Sequence, residues 1–294
     1  MEKLTVFTPT YNRKKTLQNL YNSLLEQNNK DFCWIIIDDG STDETESLIK
    51  NFIYENLISI TYIYKENEGK MATFNKAIDL CNTDYFVCVD SDDYLAKDAV
   101  KNILEYMDLI GNDDKLIGII AYRGKDSNTI ISNEFPIQDD TTLFNLYDKG
   151  FHGDTTLVFK TKFLKKYHFP IIPNEKFITE NVLYYEIDKK YKYRLVPTIL
   201  TIGYYQNDGY TSNSNRIIKD NPLGWSLYYI KKAYLQKKYL NKLKFIFQSL
   251  SLYFYANDRK RLDLYSYLNK FDYIYLPIGY ILGIARKIKY SFSR

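Results

Sequence analysis

Cysteine is scarce in this chain, and the three present, Cys33, Cys81 and Cys88, show no C-x-x-C spacing. Two of them lie inside apolar runs, so they read as small core hydrophobes in a reducing compartment. No stretch reaches the ~18 apolar residues that a membrane-spanning helix needs. Met-Glu-Lys runs straight into a strand pattern with no signal-peptide pattern, so a cytoplasmic protein is expected. Internal repeats and low-complexity tracts are missing as well. Hydrophobic residues make up 45% of the 294 positions and charged residues 26%, which excludes wholesale disorder. That length suits one α/β domain and an appendage.

What the chain has in excess is aromatic residues, 30 Tyr and 17 Phe. Tyrosine joins an apolar body to a polar tip, which suits sugar-binding surfaces and membrane interfaces alike. Charge is unevenly spread. The net charge is +4, yet from Pro222 onward 14 Lys and Arg face 3 Asp and no Glu, leaving the first 221 residues acidic. Two regions with different surroundings are implied.

Along the first 122 residues, strand and helix patterns alternate. "KLTVFTP", "FCWIIIDD", "ISITYIY", "DYFVCVD" and "LIGIIAY" read as strands, and the near-continuous apolar run of the second marks a strand covered on both faces. Helices are predicted over Lys14–Gln27, after "GSTDET", over "GKMATFNKAIDLC" and over Lys97–Met107. This order predicts an open, mostly parallel sheet whose ligand crevice lies off the carboxyl ends of its strands. Residues 123–150 read as polar and irregular. "TTLVFK" and "YRLVPTILTIGYYQ" then read as strands flanking a helix over "KFITENVLYYEIDKK", and "NDGYTSNSN" as a loop. From Pro222 the pattern is helical, with interruptions near Asn257 and at Pro277.

That geometry sends four strand ends to one rim: Thr8 to Asn12, Asp38 and Asp39, Glu66 and Asn67, and Asp90 to Asp93. One acidic strand end is explained by a helix cap, but four convergent ones make a site. Asp90, Asp92 and Asp93 repel one another, which points to a cation among them.

"VFTPTYNR", "IIIDDGSTDET", "NEGKMATFNKAI" and "DYFVCVDSDDYL", in this order and spacing, resemble the nucleotide-sugar-binding half of family-2 glycosyltransferases, inverting enzymes of the GT-A fold. The resemblance is strongest over residues 4–95 and extends more loosely to about 212. It implies a GT-A catalytic domain over 1–221, with a donor half at 1–122 and an acceptor half at 123–221, followed by a basic, aromatic helical tail at 222–294. It also implies a UDP-sugar donor and a Mn2+ or Mg2+ ion, a hard cation that neutralises the diphosphate. Asp92 takes the role of metal ligand, with Asp90 on the ribose or a metal-bound water; Asp90 and Asp93 are further possible ligands, and Asp93 alternatively caps a helix beginning near Ala96. Asp39 matches the acceptor of the uracil N3–H, although a turn-and-cap role is open to it and to Asp38. Thr8, Pro9 and Tyr11 match the cradle of the base, Asn67 and Ser91 line the same rim, and Gly69 and Lys70 bring backbone N–H groups and a cation toward phosphate.

Inverting transfer needs a carboxylate to take the acceptor proton. In "FITENVLYYEI" the resemblance gives that role to Glu180, where many relatives have Glu-Asp with Asp as base and this chain has Thr179-Glu180-Asn181; the alternative is a first-turn acid facing the helix dipole. His152 and Asp154 are candidates for the donor sugar or acceptor, and Thr211 for phosphate. The acceptor implied is a glycan or lipid-linked saccharide of bacterial capsule, lipopolysaccharide or teichoic-acid type. No nucleic-acid motif accompanies the basic tail. "LPIGYILGIARKIKY" suits an interfacial helix on an anionic inner membrane leaflet, with Ile278, Ile281, Leu282, Ala285 and Ile288 on one face and Arg286, Lys287 and Lys289 near its end. A helical subdomain that mediates homo-oligomerisation is the other reading of the tail. Rival readings of the whole chain are an inactive nucleotide-sugar-binding homologue and a sugar-nucleotide pyrophosphorylase.

Overall fold

The computed structural model describes residues 2–203 and 214–291. It divides into two compact units, residues 1–168 with 187–205, and residues 169–186 with 206–294.

The first unit is built on one eight-stranded sheet. Its strands are β1 (Leu4–Thr10), β2 (Phe32–Asp38), β3 (Ser59–Tyr64), β4 (Tyr85–Cys88), β5 (Asp93–Leu95), β6 (Leu116–Gly124), β7 (Thr155–Lys160) and β8 (Lys192–Gly203). Helices α1 (Lys14–Leu25), α2 (Thr45–Glu55), α3 (Lys70–Leu80), α4 (Ala99–Ile110), α5 (Leu143–Asp148) and α6 (Thr161–Leu164) connect them. The spatial order is β3-β2-β1-β4-β7-β6-β8-β5. The first four neighbours run parallel, β7 is antiparallel to both β4 and β6, β8 is parallel to β6, and β5 is antiparallel to β8. Parallel pairing of the first four follows from helical crossovers, which bring each strand back in the same direction. The result is the GT-A-type sheet the sequence predicts, parallel over β3, β2, β1 and β4 and mixed beyond.

Strand alternation sends the two faces of β1 and β2 into separate cores. On one face Trp34 is fully buried among Tyr21 and Phe52, whose rings stack 3.9 Å apart, and its indole N–H donates to Thr8 Oγ1 at 2.9 Å. On the other, Phe7 packs edge-on against Phe74 of α3 at 5.7 Å and stacks on Phe86 of β4. Burying both faces explains why β2 reads as one apolar run.

Two local expectations are corrected. Asp93 does not cap a helix near Ala96, because it opens β5, and α4 begins only at Ala99. The pull comes from β8, which pairs Asp93 with Gly203 and whose Leu200 carbonyl accepts the Ala96 N–H at 3.0 Å. The polar stretch 123–150 also contains a helix, α5, too short to show a period. Thr142 caps it through Asn145 N–H at 3.1 Å, and Asp188 accepts the N–H groups of Leu143 and Phe144.

The second unit holds α7 (Asn181–Ile187, whose last residue belongs to the first unit), α8 (Ser214–Asp220), α9 (Pro222–Leu235), α10 (Tyr239–Tyr255) and α11 (Leu276–Ser291), with short 3-10 turns over 259–275. The expected helix over 176–190 shrinks to α7, and the N–H groups of Lys176 and Phe177, ahead of it, bond the Asn221 side chain. Segment 169–186 belongs to the same compact unit as the C-terminal helices. Pro277 starts a helix, as its missing N–H permits in a first turn. Gly279 and Gly283 bring α11 so close to α10 that an added Cβ would lie 2.4 Å from Leu250 Cβ and 2.5 Å from Phe254 Cβ. The opposite side, with Ile278, Ile281, Leu282, Ala285 and Ile288, is exposed, and so are Tyr280 and Ile284. Arg286 turns inward to Ser251 Oγ at 3.0 Å, while Lys287 and Lys289 stay exposed. No helix among the described residues is long and apolar enough to cross a membrane.

Candidate active site

Parallel register aligns Thr10, Asp38 and Tyr64 across β1, β2 and β3, so the segments that follow leave the sheet at one edge together with the end of β4. Asn12 ties the first two segments. Its backbone is left-handed (φ 52), its N–H donates to Ser41 Oγ at 2.8 Å, and its Oδ1 accepts the Thr42 N–H at 2.8 Å. Asp38 is committed to the turn, accepting the Ser41 N–H at 2.7 Å and the Tyr62 hydroxyl at 3.1 Å.

Asp39 is buried and locks the third segment. Its Oδ1 accepts Lys65 Nζ at 2.9 Å and the Glu68 N–H at 3.0 Å, and its Oδ2 accepts the Gly69 N–H at 2.7 Å. Gly40 (φ +89) lies against this loop, where a Cβ would stand 3.2 Å from Asn67 N. Glycine meets both demands, a positive φ and a close approach. Lys70 then opens α3, and its ammonium reaches the Asp90 carboxylate oxygens at 2.6 and 2.9 Å.

Ser91 is buried beside this pair in sequence, and Asp92 is mostly buried. Burial, followed by the Asp90 charge, pushes the Asp92 carboxyl above the usual carboxylate range, with Arg13 and Lys70 pulling it back. Asp93 turns away into β5, where Arg123 of β6 contacts its Oδ1 at 2.5 Å. Burial pushes Asp93 up to about 7; Arg123 opposes the rise, and Asp90 and Asp92 add to it. The same guanidinium grips Asp154 at 2.9 Å. Arg123 was not singled out from the sequence; a cation closing the apolar strand "LIGIIAYRG" was its signal.

The remaining candidates fall out as follows. The Thr8 hydroxyl serves Trp34, Pro9 is buried, and Tyr11 is half exposed at the rim. The His152 ring is exposed, and its backbone N–H donates to Asn133 Oδ1 at 2.6 Å. Thr211 lies outside the described residues. Glu180 belongs to the second unit and stands just before α7, its carbonyl accepting the N–H groups of Leu183 and Tyr184 at 3.0 and 3.2 Å.

Asp90 and Asp92 offer oxygen ligands only, and the Asp90 charge raises the cost of ionising Asp92. That donor chemistry fits a hard divalent cation. Among the described residues, no group of three or more His, Cys, Asp or Glu side chains is arranged to hold a metal by itself.

The family model for glycosyl transferase family 2 matches residues 5–168. Over 121 residues the chain is 35% identical to the teichoic acid poly(glycerol phosphate) polymerase of Staphylococcus epidermidis, covering 41% of this chain and 16% of that protein. Over 127 residues it is 28% identical to the poly(ribitol-phosphate) β-N-acetylglucosaminyltransferase TarS of Staphylococcus aureus, covering 42% of this chain and 22% of that one. The chain thus spans less than a quarter of either relative. In three dimensions it superposes on residues 1–349 of S. aureus TarS in complex with UDP-GlcNAc, with a TM-score of 0.61, 19% identity and coverage of 95% and 78%. The mannosyltransferase PcManGT of Pyrobaculum calidifontis, in complex with GDP-Man and Mn2+, gives 0.57, 16%, 97% and 87%. These likenesses show the fold.

Proposed function

The chain belongs to glycosyl transferase family 2, and we propose that it moves a sugar from a UDP-sugar to a hydroxyl of a glycan or lipid-linked saccharide, with inversion, in the synthesis of a bacterial cell-surface polymer. The observation that carries this reading is the joint presentation of Asp39, the Lys70–Asp90 pair and Asp92 at one carboxyl rim.

Each residue has a task there. A carboxylate offers about four acceptor positions. Asp39 uses three on its own loop, leaving one for the uracil N3–H beside Tyr11 and Pro9. Lys70 and the N–H groups opening α3 suit the diphosphate. Asp92, assisted by Asp90, would hold Mn2+ or Mg2+, which when bound neutralises charge on the leaving diphosphate. With Asp93 engaged by Arg123, Asp92 is the better ligand of the two. Glu180 takes the acceptor proton as the general base. The TarS complex with UDP-GlcNAc supports the uridine choice, and the PcManGT complex supports the metal.

The exposed stripe of α11, edged by Lys287 and Lys289, lies on an anionic membrane surface in this reading, which places the protein at the inner face of the plasma membrane.

The test is a panel of UDP-sugars assayed for metal-dependent hydrolysis and for protection against thermal unfolding. One UDP-sugar should be turned over and stabilise the protein, and Asp92→Ala should abolish turnover. Preference for a GDP- or CMP-sugar would overturn the uridine assignment, and nucleotide binding without turnover would favour the inactive homologue.

A further inference from the structure

The segment leading to Glu180 is bonded to the start of α9 in both directions. Buried Glu175 accepts the N–H of Leu223 at 2.9 Å and of Gly224 at 2.7 Å, two donors that a helix N-terminus leaves without partners of its own. In return, Asn221 Oδ1 accepts the N–H of Lys176 at 2.9 Å and of Phe177 at 3.0 Å, while its Nδ2 donates to the Ile217 carbonyl at 3.0 Å. Gly224 allows the approach, since a Cβ there would stand 2.7 Å from the Phe177 carbonyl oxygen. Phe177 stacks on Trp225 at 6.0 Å, and Arg261 donates to the Pro173 carbonyl. Beyond Glu180, Glu186 is paired with Lys231, and Tyr185 stacks on Tyr228 at 5.9 Å. Glu180 therefore stands between two sets of bonds to one helix.

A cheaper arrangement was open to the chain. Asn221 occupies the N-cap position of α9 and makes no cap bond there, although Asn is among the best capping residues. The capping task has passed to Glu175, and the Asn221 side chain is spent on the Glu180 segment instead. Burying a carboxylate for a cap that a local side chain can supply costs stability. What the exchange secures is the position of residues 173–186 on α9.

We propose that Glu175 is a positioning residue, holding on α9 the backbone that carries Glu180 without itself touching substrate. The inference rests on Glu180 being the general base. It gives the basic C-terminal region a second task, fixing the base as well as meeting a surface.

The experiment uses the full chain and the UDP-sugar selected by the panel, with water as acceptor. Glu175→Gln keeps the shape but turns an amide toward two N–H donors, and should lower kcat by about 10–100-fold, within the range of a base placed wrongly, with the donor KM unchanged within twofold. In a Glu180→Gln background the same change should cost less than twofold more, because the residue acts through Glu180. An effect that multiplies in that background, or wild-type kcat in Glu175→Gln beside an impaired Glu180→Gln, overturns the inference alone. Full activity of Glu180→Gln overturns the base assignment and the inference together. Gly224→Ala, which pushes on the Phe177 carbonyl, replaces Glu175→Gln if that variant does not fold, with the same outcomes. Amide hydrogen exchange over 176–184 reads the device without turnover: it should quicken at least tenfold in the variant, and unchanged protection counts against the proposal.

Discussion

Arg123 lies 2.5 Å from Asp93, and the pair is closed over by Gly203, where a Cβ would stand 1.9 Å from Asp93 Oδ1 and 2.4 Å from Arg123 Nη2. The guanidinium also holds Asp154, so one cation braces two candidate residues that the sequence left unconnected. Removing it leaves Asp93 buried near two other carboxylates. Arg123→Gln should cost about 1–3 kcal/mol at neutral pH. Asp93, already pushed up to about 7, takes a proton once the guanidinium is gone, and only the lost hydrogen bonds count. Gly203→Ala should cost about 1–3 kcal/mol through overpacking. Denaturant unfolding at neutral pH measures both, and a loss below about 0.5 kcal/mol in Arg123→Gln would contradict the account.

Glu180→Gln keeps size and hydrogen-bonding capacity but cannot take a proton. Turnover should fall by about 10²–10⁴, the range for a positioned base. Protection by UDP in a thermal-shift assay should be unchanged, because the residues proposed to hold the nucleotide belong to the other unit.

Asp39→Asn replaces a carboxylate that takes three donors with an amide whose NH2 must face one of them. An unsatisfied buried donor costs about 1–3 kcal/mol. UDP should then no longer raise the unfolding temperature, while Asp39→Glu, which retains the charge, should restore part of the protection.

The pH dependence of stability should carry the mark of Asp188. Burial pushes its carboxyl up to about 7, against the two N–H bonds from Phe144 and Leu143. An unfolded aspartate ionises near about 4, so between these values the folded state holds the extra proton. Stability from this group is complete below about pH 4 and is lost as pH rises through about 7. Asp188→Asn should flatten that slope, narrowing the difference between pH 5 and pH 8 by about 1–3 kcal/mol. Parallel pH curves for the two proteins would show the carboxylate to be ionised throughout.

Vesicles test the α11 surface. Binding to vesicles containing phosphatidylserine should exceed binding to neutral ones, weaken with salt, and drop at least fivefold in Ile281→Asp. Equal salt-independent binding to both, or a concentration-dependent dimer that Ile281→Asp dissociates, would favour a protein partner for that face.

The first 122 residues were legible because their signals are local. Apolar runs such as "FCWIIIDD" and the helical stripe of Leu17, Leu20, Tyr21 and Leu24 set strand and helix by period alone, and parallel crossovers then deliver every strand end to one rim. Asp39, Lys70, Asp90 and Asp92 could be named because each sits at a strand end or helix start in its own segment. Short elements carried too few residues to show a period, so β5 and α5 were missed.

The sequence by itself determined the parallel first four strands, the carboxyl rim and its residue types, since these depend on spacing within some thirty residues. Tertiary structure alone decided which side chain meets which. It gave Asp93 to Arg123, committed Asp39 to the loop before α3, brought Asn221 to the N–H groups of Lys176 and Phe177, and set Glu175 against the start of α9. Those pairings join residues about 30 to 49 positions apart. Their energies come from burial and from orphaned helix and loop N–H groups. Neither exists until the chain has closed on itself.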